Sequence, residues 1–76
     1  MNPEHLIAMA NQIGAFYESM KNRDEALEQL ANHIRMFWDP RMRRALLSMM
    51  PGEGVPSTNM SAILVEALQR HRSMLA

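Results

Sequence analysis

His33-Ile34-Arg35-Met36-Phe37-Trp38-Asp39-Pro40-Arg41-Met42-Arg43-Arg44 decides how this chain folds, because it ends one helix and starts the next. It holds the only Trp, one of the two Phe and four of the eight Lys and Arg residues. Ile34, Phe37 and Trp38 finish an apolar face that begins upstream. Asp39-Pro40 then supplies an N-cap followed by proline at the first helical position, where the missing N–H costs nothing. The Asp39 carboxylate suits the orphan amides and the positive dipole end of the new helix. Proline also drives Asp39 out of the α region. The spacing therefore predicts a corner, with aromatic rings on one side and Arg41, Arg43 and Arg44 on the other.

Upstream of the corner, Leu27, Leu30, Ala31, Ile34, Phe37 and Trp38 recur at helical spacing and predict a helix over about 23–37. Asn22, with Glu25 three residues on, has the form of a capping box. Further back, Asn2-Pro3 opens a helix over about 3–20, whose apolar face runs from Leu6, Met9 and Ala10 through Ile13, Phe16 and Tyr17 to Met20. The short polar connection makes these two helices antiparallel neighbours. Gly14 lies on the side shared with Ile7 and Ala10. It is either a place where another helix approaches closely or a weak spot on a solvent face.

Downstream, Pro40 to about Met49 forms a third helix with Met42, Ala45, Leu46 and Met49 turned inward. Leu47 and Met50 then share a face with Arg43, where apolar surface left uncovered suggests an interface. The stretch 51–56 holds two prolines and two of the three glycines and is a loop without the Walker pattern of phosphate sites. A last helix follows over about 59–74, capped by residues 57–59, with Met60, Ile63, Leu64, Ala67, Leu68, His71 and Leu75 as its buried stripe. The expected fold class is all-α: one small, bundle-like domain of four helices spanning 1–76.

Seventy-six residues bury only about 60 per cent of the surface that the unfolded chain exposes. A small domain without cysteine has no disulfide to compensate, and it commonly gains stability by association, as a subunit or an oligomer. The absence of Cys also suits a reducing cytoplasm. No apolar run reaches the roughly 20 residues of a membrane span, so a cytoplasmic protein with no membrane partner is expected. The net charge is zero but unevenly placed: residues 1–32 sum to −3 and residues 33–44 to +3. One end can thus meet an acidic surface. The nine Met fit either an adaptable core or an adaptable binding face.

The string from His33 to Arg44, together with Leu6-Ile7-Ala8-Met9-Ala10-Asn11-Gln12-Ile13-Gly14, resembles the delta subunit of bacterial NAD-dependent formate dehydrogenase. The resemblance covers essentially the whole chain. It implies a cofactor-free, non-catalytic accessory subunit of a soluble molybdenum or tungsten enzyme complex, needed for assembly of the active form. Its implied partner is the catalytic (alpha) subunit. The arginines would meet acidic side chains of that subunit, or phosphates of its pyranopterin-dinucleotide cofactor during insertion.

The residues expected to bind a partner are Arg35, Trp38, Arg41, Arg43, Arg44 and Leu47. Trp and Arg are typical interface anchors, and the guanidinium fork matches carboxylates bidentately. Of the two aromatics, Phe37 fits the internal stripe better, which leaves Trp38 as the interface candidate. Each of these residues also has a plainer reading, as a core anchor or a solvated face. No catalytic, metal or cofactor residue is expected: His5, His33 and His71 are scattered, and Ser48, Ser57 and Ser61 sit in no nucleophile elbow. The alternative is a helix-turn-helix-like module that places the Arg41–Arg44 helix in a nucleic-acid groove. Zero net charge and the lack of a second basic element weigh against it, so no nucleic-acid partner is expected. Self-association of the isolated chain is the remaining partner expectation.

Overall fold

The computed structural model describes residues 2–52 and 59–76. Five helices are present among them: α1 (Pro3–Tyr17), α2 (Arg23–Phe37), α3 (Pro40–Ser48), α4 (Ala62–Arg70) and the single-turn α5 (Arg72–Leu75). No strand occurs among the described residues. The all-α class stands, and the expected fourth helix is divided in two.

Three side-chain caps start the first three helices where the sequence places them. The Asn2 Oδ1 accepts from the amides of Glu4 and His5, at 2.9 and 3.3 Å. Asn22 accepts from Glu25 at 3.0 Å, and Asp39 from Met42 at 2.9 Å. Each satisfies an amide that the helix itself leaves unpaired. The reciprocal half of the capping box is diverted, because the Glu25 carboxylate instead accepts from Gln29, one turn on, at 3.2 Å.

α2 is the central element and packs against α1, α4 and α5. Ala26, Leu27, Leu30, Ala31 and Ile34 are buried along it. Ion pairs Arg23–Glu66 and Asp24–Arg70 join its first turn to α4; both are substantially exposed and contribute little. α3 leaves the corner to pack on α1 and α5. The buried side chains form one cluster, which includes Met49 and Met50, while Met9, Met20, Met42, Met60 and Met74 pack against it. Methionine here is chiefly core material.

The α1 face differs from the expected one. Leu6, Ile7, Ala10 and Gly14 are the buried residues, whereas Phe16 is exposed. The stripe is therefore rotated toward the glycine side, and the reason is close approach. A Cβ at Gly14 would lie 3.1 Å from the Ile63 Cγ2 and 3.6 Å from the Leu30 Cδ2, so α4 and α2 converge where α1 has no side chain. α1 also ends at Tyr17 rather than near 20, because its last turn tightens into Glu18-to-Ala15 and Met20-to-Tyr17 bonds.

The loop expected over 51–56 falls largely on residues outside the described ones. Gly52 supplies the left-handed turn after α3, with φ +89°. The helix expected from 59 begins at Ala62. Asn11 on α1 explains the delay: its Nδ2 donates to the Asn59 carbonyl at 2.8 Å, and its Oδ1 accepts from the Ser61 amide at 2.9 Å. This clamp holds Asn59 and Ser61 against α1, and Ser61, extended at φ −68° and ψ 156°, occupies the N-cap position without a side-chain cap bond. His71, with φ −111° and ψ 28°, breaks the helix again, and α5 tucks Leu75 into the core at 1% exposure.

Candidate interaction surface

The corner exists, and it is built differently from its expected form. α2 ends at Phe37, and Trp38 adopts an extended backbone, φ −101° and ψ 138°, while its amide still donates to the Ile34 carbonyl at 2.9 Å. Helical periodicity stops there, so the two aromatics exchange places. Trp38 turns inward and is 6% exposed, while Phe37, the last helical residue, is 71% exposed. Trp38 is thus an internal anchor of the corner, which is the plainer of its two readings, and Phe37 rather than Trp38 is the ring that faces out.

Leu47 is corrected in the same way. It and Met50, expected on an uncovered face, are 5% and 2% exposed. The packing of α3 on α1 and α5 covers them from within the chain.

The arginines divide. Arg43 folds back, and its guanidinium donates to the Arg35 carbonyl in the last turn of α2 at 3.0 Å. That carbonyl is one of those a helix end leaves unpaired, and a cation suits the negative dipole end. The Arg43 Nε is buried without a partner among the described residues, so this side chain serves as a strut across the corner. Arg35, Arg41 and Arg44 remain exposed. A groove-reading α3 would therefore present two outward arginines, not three.

A second feature, which sequence reasoning missed, lies on the outer side of α1 and α2. Phe16 meets Tyr17 edge-on at 5.1 Å, Tyr17 meets His33 at 6.4 Å, and His33 meets Phe37 at 4.7 Å. The four rings form a continuous chain across two helices. Around them are two adjoining grooves of about 440 and 240 Å³ that share Tyr17 and His33. Phe16, Met36 and Phe37 are exposed by 76%, 63% and 71%, the exposed large hydrophobic residues of the described chain. A signal was available, since Tyr17 and Phe37 lie near the core stripes in helical phase, while Phe16 follows the expected α1 face and not the rotated one. Periodicity assigned the two Phe to the interior because it does not distinguish the middle of an apolar face from its margin.

Among the described residues no group of three His, Asp or Glu side chains could hold a metal ion. No helix of the described chain is long and apolar enough to cross a membrane. What the surface offers is a ring-lined apolar face on α1 and α2 and three outward arginines at the α2–α3 corner.

Comparison with known proteins supplies the context for such a surface. No curated protein and no solved structure gives a significant match. Residues 5–71 match the sequence model of the family described as NADH-dependent formate dehydrogenase delta subunit FdsD. The match takes in all but the first two residues of α1, the capped corner and α4, nearly all of the 76 residues, and on that basis the chain belongs to the delta-subunit family of NADH-dependent formate dehydrogenase.

Proposed function

We propose that this chain is a non-catalytic accessory subunit that binds the catalytic subunit of a formate dehydrogenase complex and supports its assembly into active enzyme. The observation that carries this reading is the family match over residues 5–71. The reading is supported by a small fold whose capped helices and buried corner leave Arg35, Arg41 and Arg44 exposed. Arg35, Arg41 and Arg44 supply guanidinium groups to acidic side chains of the catalytic subunit. Trp38, Arg43 and Leu47 act as positioning residues: they set the angle between α2 and α3, and hence where those guanidinium groups stand.

The test is co-expression of this chain with an affinity-tagged catalytic subunit, read by size-exclusion chromatography and by formate-dependent NAD reduction. The wild-type chain is expected to co-elute, and its omission is expected to lower the yield of active enzyme. Replacing Arg35, Arg41 and Arg44 together with Ala is expected to weaken association by about tenfold at low ionic strength and by less at high salt, because exposed charge pairs are screened. Full enzyme activity in the absence of this chain, with no co-elution in its presence, would overturn the reading.

A further inference from the structure

We infer that Met36 is a modification site of this chain, independently of the function proposed above: a hydroperoxide oxidises its thioether to the sulfoxide ahead of the other described methionines and leaves the fold intact.

Exposure sets Met36 apart. Its side chain is 63% exposed, whereas Met49 and Met50 are 8% and 2% exposed. Met9, Met20, Met42, Met60 and Met74 are partly buried against the core. Met1 lies outside the described residues. A thioether is soft and polarisable, and its oxidation follows the access that the oxidant has to the sulfur. Peroxide therefore meets Met36 directly from solvent and reaches Met49 and Met50 only when the packing opens locally.

Hydrogen bonding strengthens the contrast. The Met36 Sδ accepts from the Asn32 Nδ2, one turn back on α2, at 3.5 Å. The Met50 Sδ accepts from the Arg72 guanidinium at 3.7 Å. A cation draws electron density from the sulfur it touches, and a neutral amide does so far less. The amide also suits the product. A thioether is a weak acceptor, a sulfoxide oxygen is a strong one, and the Asn32 amide is already in place to donate to it.

The reaction needs only the peroxide. A sulfur lone pair attacks one peroxide oxygen, and the S–O bond forms as the O–O bond breaks. The departing hydroxide takes the proton left on the transferred oxygen and leaves as water. Sulfur is oxidised to the sulfoxide and the peroxide is reduced. The same change at Met49 or Met50 would set a polar oxygen among apolar side chains, where a polar group without a partner is costly. At Met36 the new oxygen stands in water on the last turn of α2, and the core is untouched.

The test treats the full chain with one equivalent of hydrogen peroxide and follows oxidation at each methionine by peptide mass spectrometry, with Met1 read separately. Sulfoxide at Met36 is expected to form at least about tenfold faster than at Met49 or Met50, because susceptibility follows exposure, with the partly buried methionines in between. Circular dichroism and the urea midpoint of the chain oxidised at Met36 are expected to match those of the untreated chain. In concentrated urea the rates are expected to converge. Met36→Leu is expected to fold as wild type and to lose the fast oxygen uptake among residues 9–74. Another described methionine that reacts as fast as Met36 in the folded chain overturns the inference. So does a Met36 sulfoxide that unfolds the domain, fast uptake over 9–74 that survives in Met36→Leu, or an order of rates that persists in urea and so belongs to local sequence instead of the fold.

Discussion

Trp38 and Phe37 are adjacent in sequence and opposite in fate. The first is buried at the corner, and the second stands 71% exposed on the outer face. The same division recurs at two other neighbouring pairs. Asn11 clamps the entry to α4 through two hydrogen bonds, while Gln12 lines the outer groove. Arg43 braces α2 from α3, while Arg44 is exposed. In each pair one side chain has found its partner inside the chain and its neighbour faces out. The difference separates what the fold needs for itself from what it holds ready for another protein.

The sharpest way to break this contrast is to truncate the aromatic pair. Trp38→Ala is expected to cost about 3–5 kcal/mol of stability, by loss of transfer energy plus the cavity left behind. Against a total of roughly 5–15 kcal/mol, that brings the domain near to unfolding. Phe37→Ala is expected to fall within about 0.5 kcal/mol of wild type, as for an exposed position. Urea denaturation followed by circular dichroism measures both. Similar losses at the two positions would mean that Phe37 also serves the core.

The middle pair tests the same division with polar groups. Asn11→Ala leaves the Asn59 carbonyl and the Ser61 amide without their clamp and is expected to cost about 2 kcal/mol, whereas Gln12→Ala is expected to change stability by less than about 0.5 kcal/mol. Hydrogen exchange at the Ser61 amide gives a local reading: it is expected to quicken in Asn11→Ala and to hold steady in Gln12→Ala.

These pairs also show what could be read from the chain before its fold was known. Asn2, Asn22 and Asp39 act on amides two or three residues away, so their meaning is local, and three helix starts were legible. The family string around the corner was legible for the same reason. Trp38 had two readings, core anchor and interface ring, and only the backbone, which becomes extended at that residue, shows which of the two adjacent aromatics turns inward. Asn11 acts on residues 48 and 50 positions away, and no local pattern marks such a clamp. Gly14 left two readings open until the approach of Ile63 settled them. The ring chain was missed because its members lie on two helices, and only packing brings Tyr17 to His33.

The arginine pair carries the smallest expected effect and ties stability to function. Arg43→Ala removes the donor to the Arg35 carbonyl, a partly exposed contact, and is expected to cost about 1 kcal/mol. Arg44→Ala is expected to cost almost nothing in stability. In association with the catalytic subunit the order is expected to reverse at low salt. Arg44 faces out and loses a direct charge contact there, whereas Arg43→Ala acts only by loosening the corner. Added salt should therefore reduce the Arg44 effect and leave that of Arg43 in place, because screening weakens exposed ion pairs and does not restore a missing cap. If Arg43→Ala instead showed the steeper salt dependence, its guanidinium would be meeting the partner directly, and the division between inward and outward neighbours would fail at this pair.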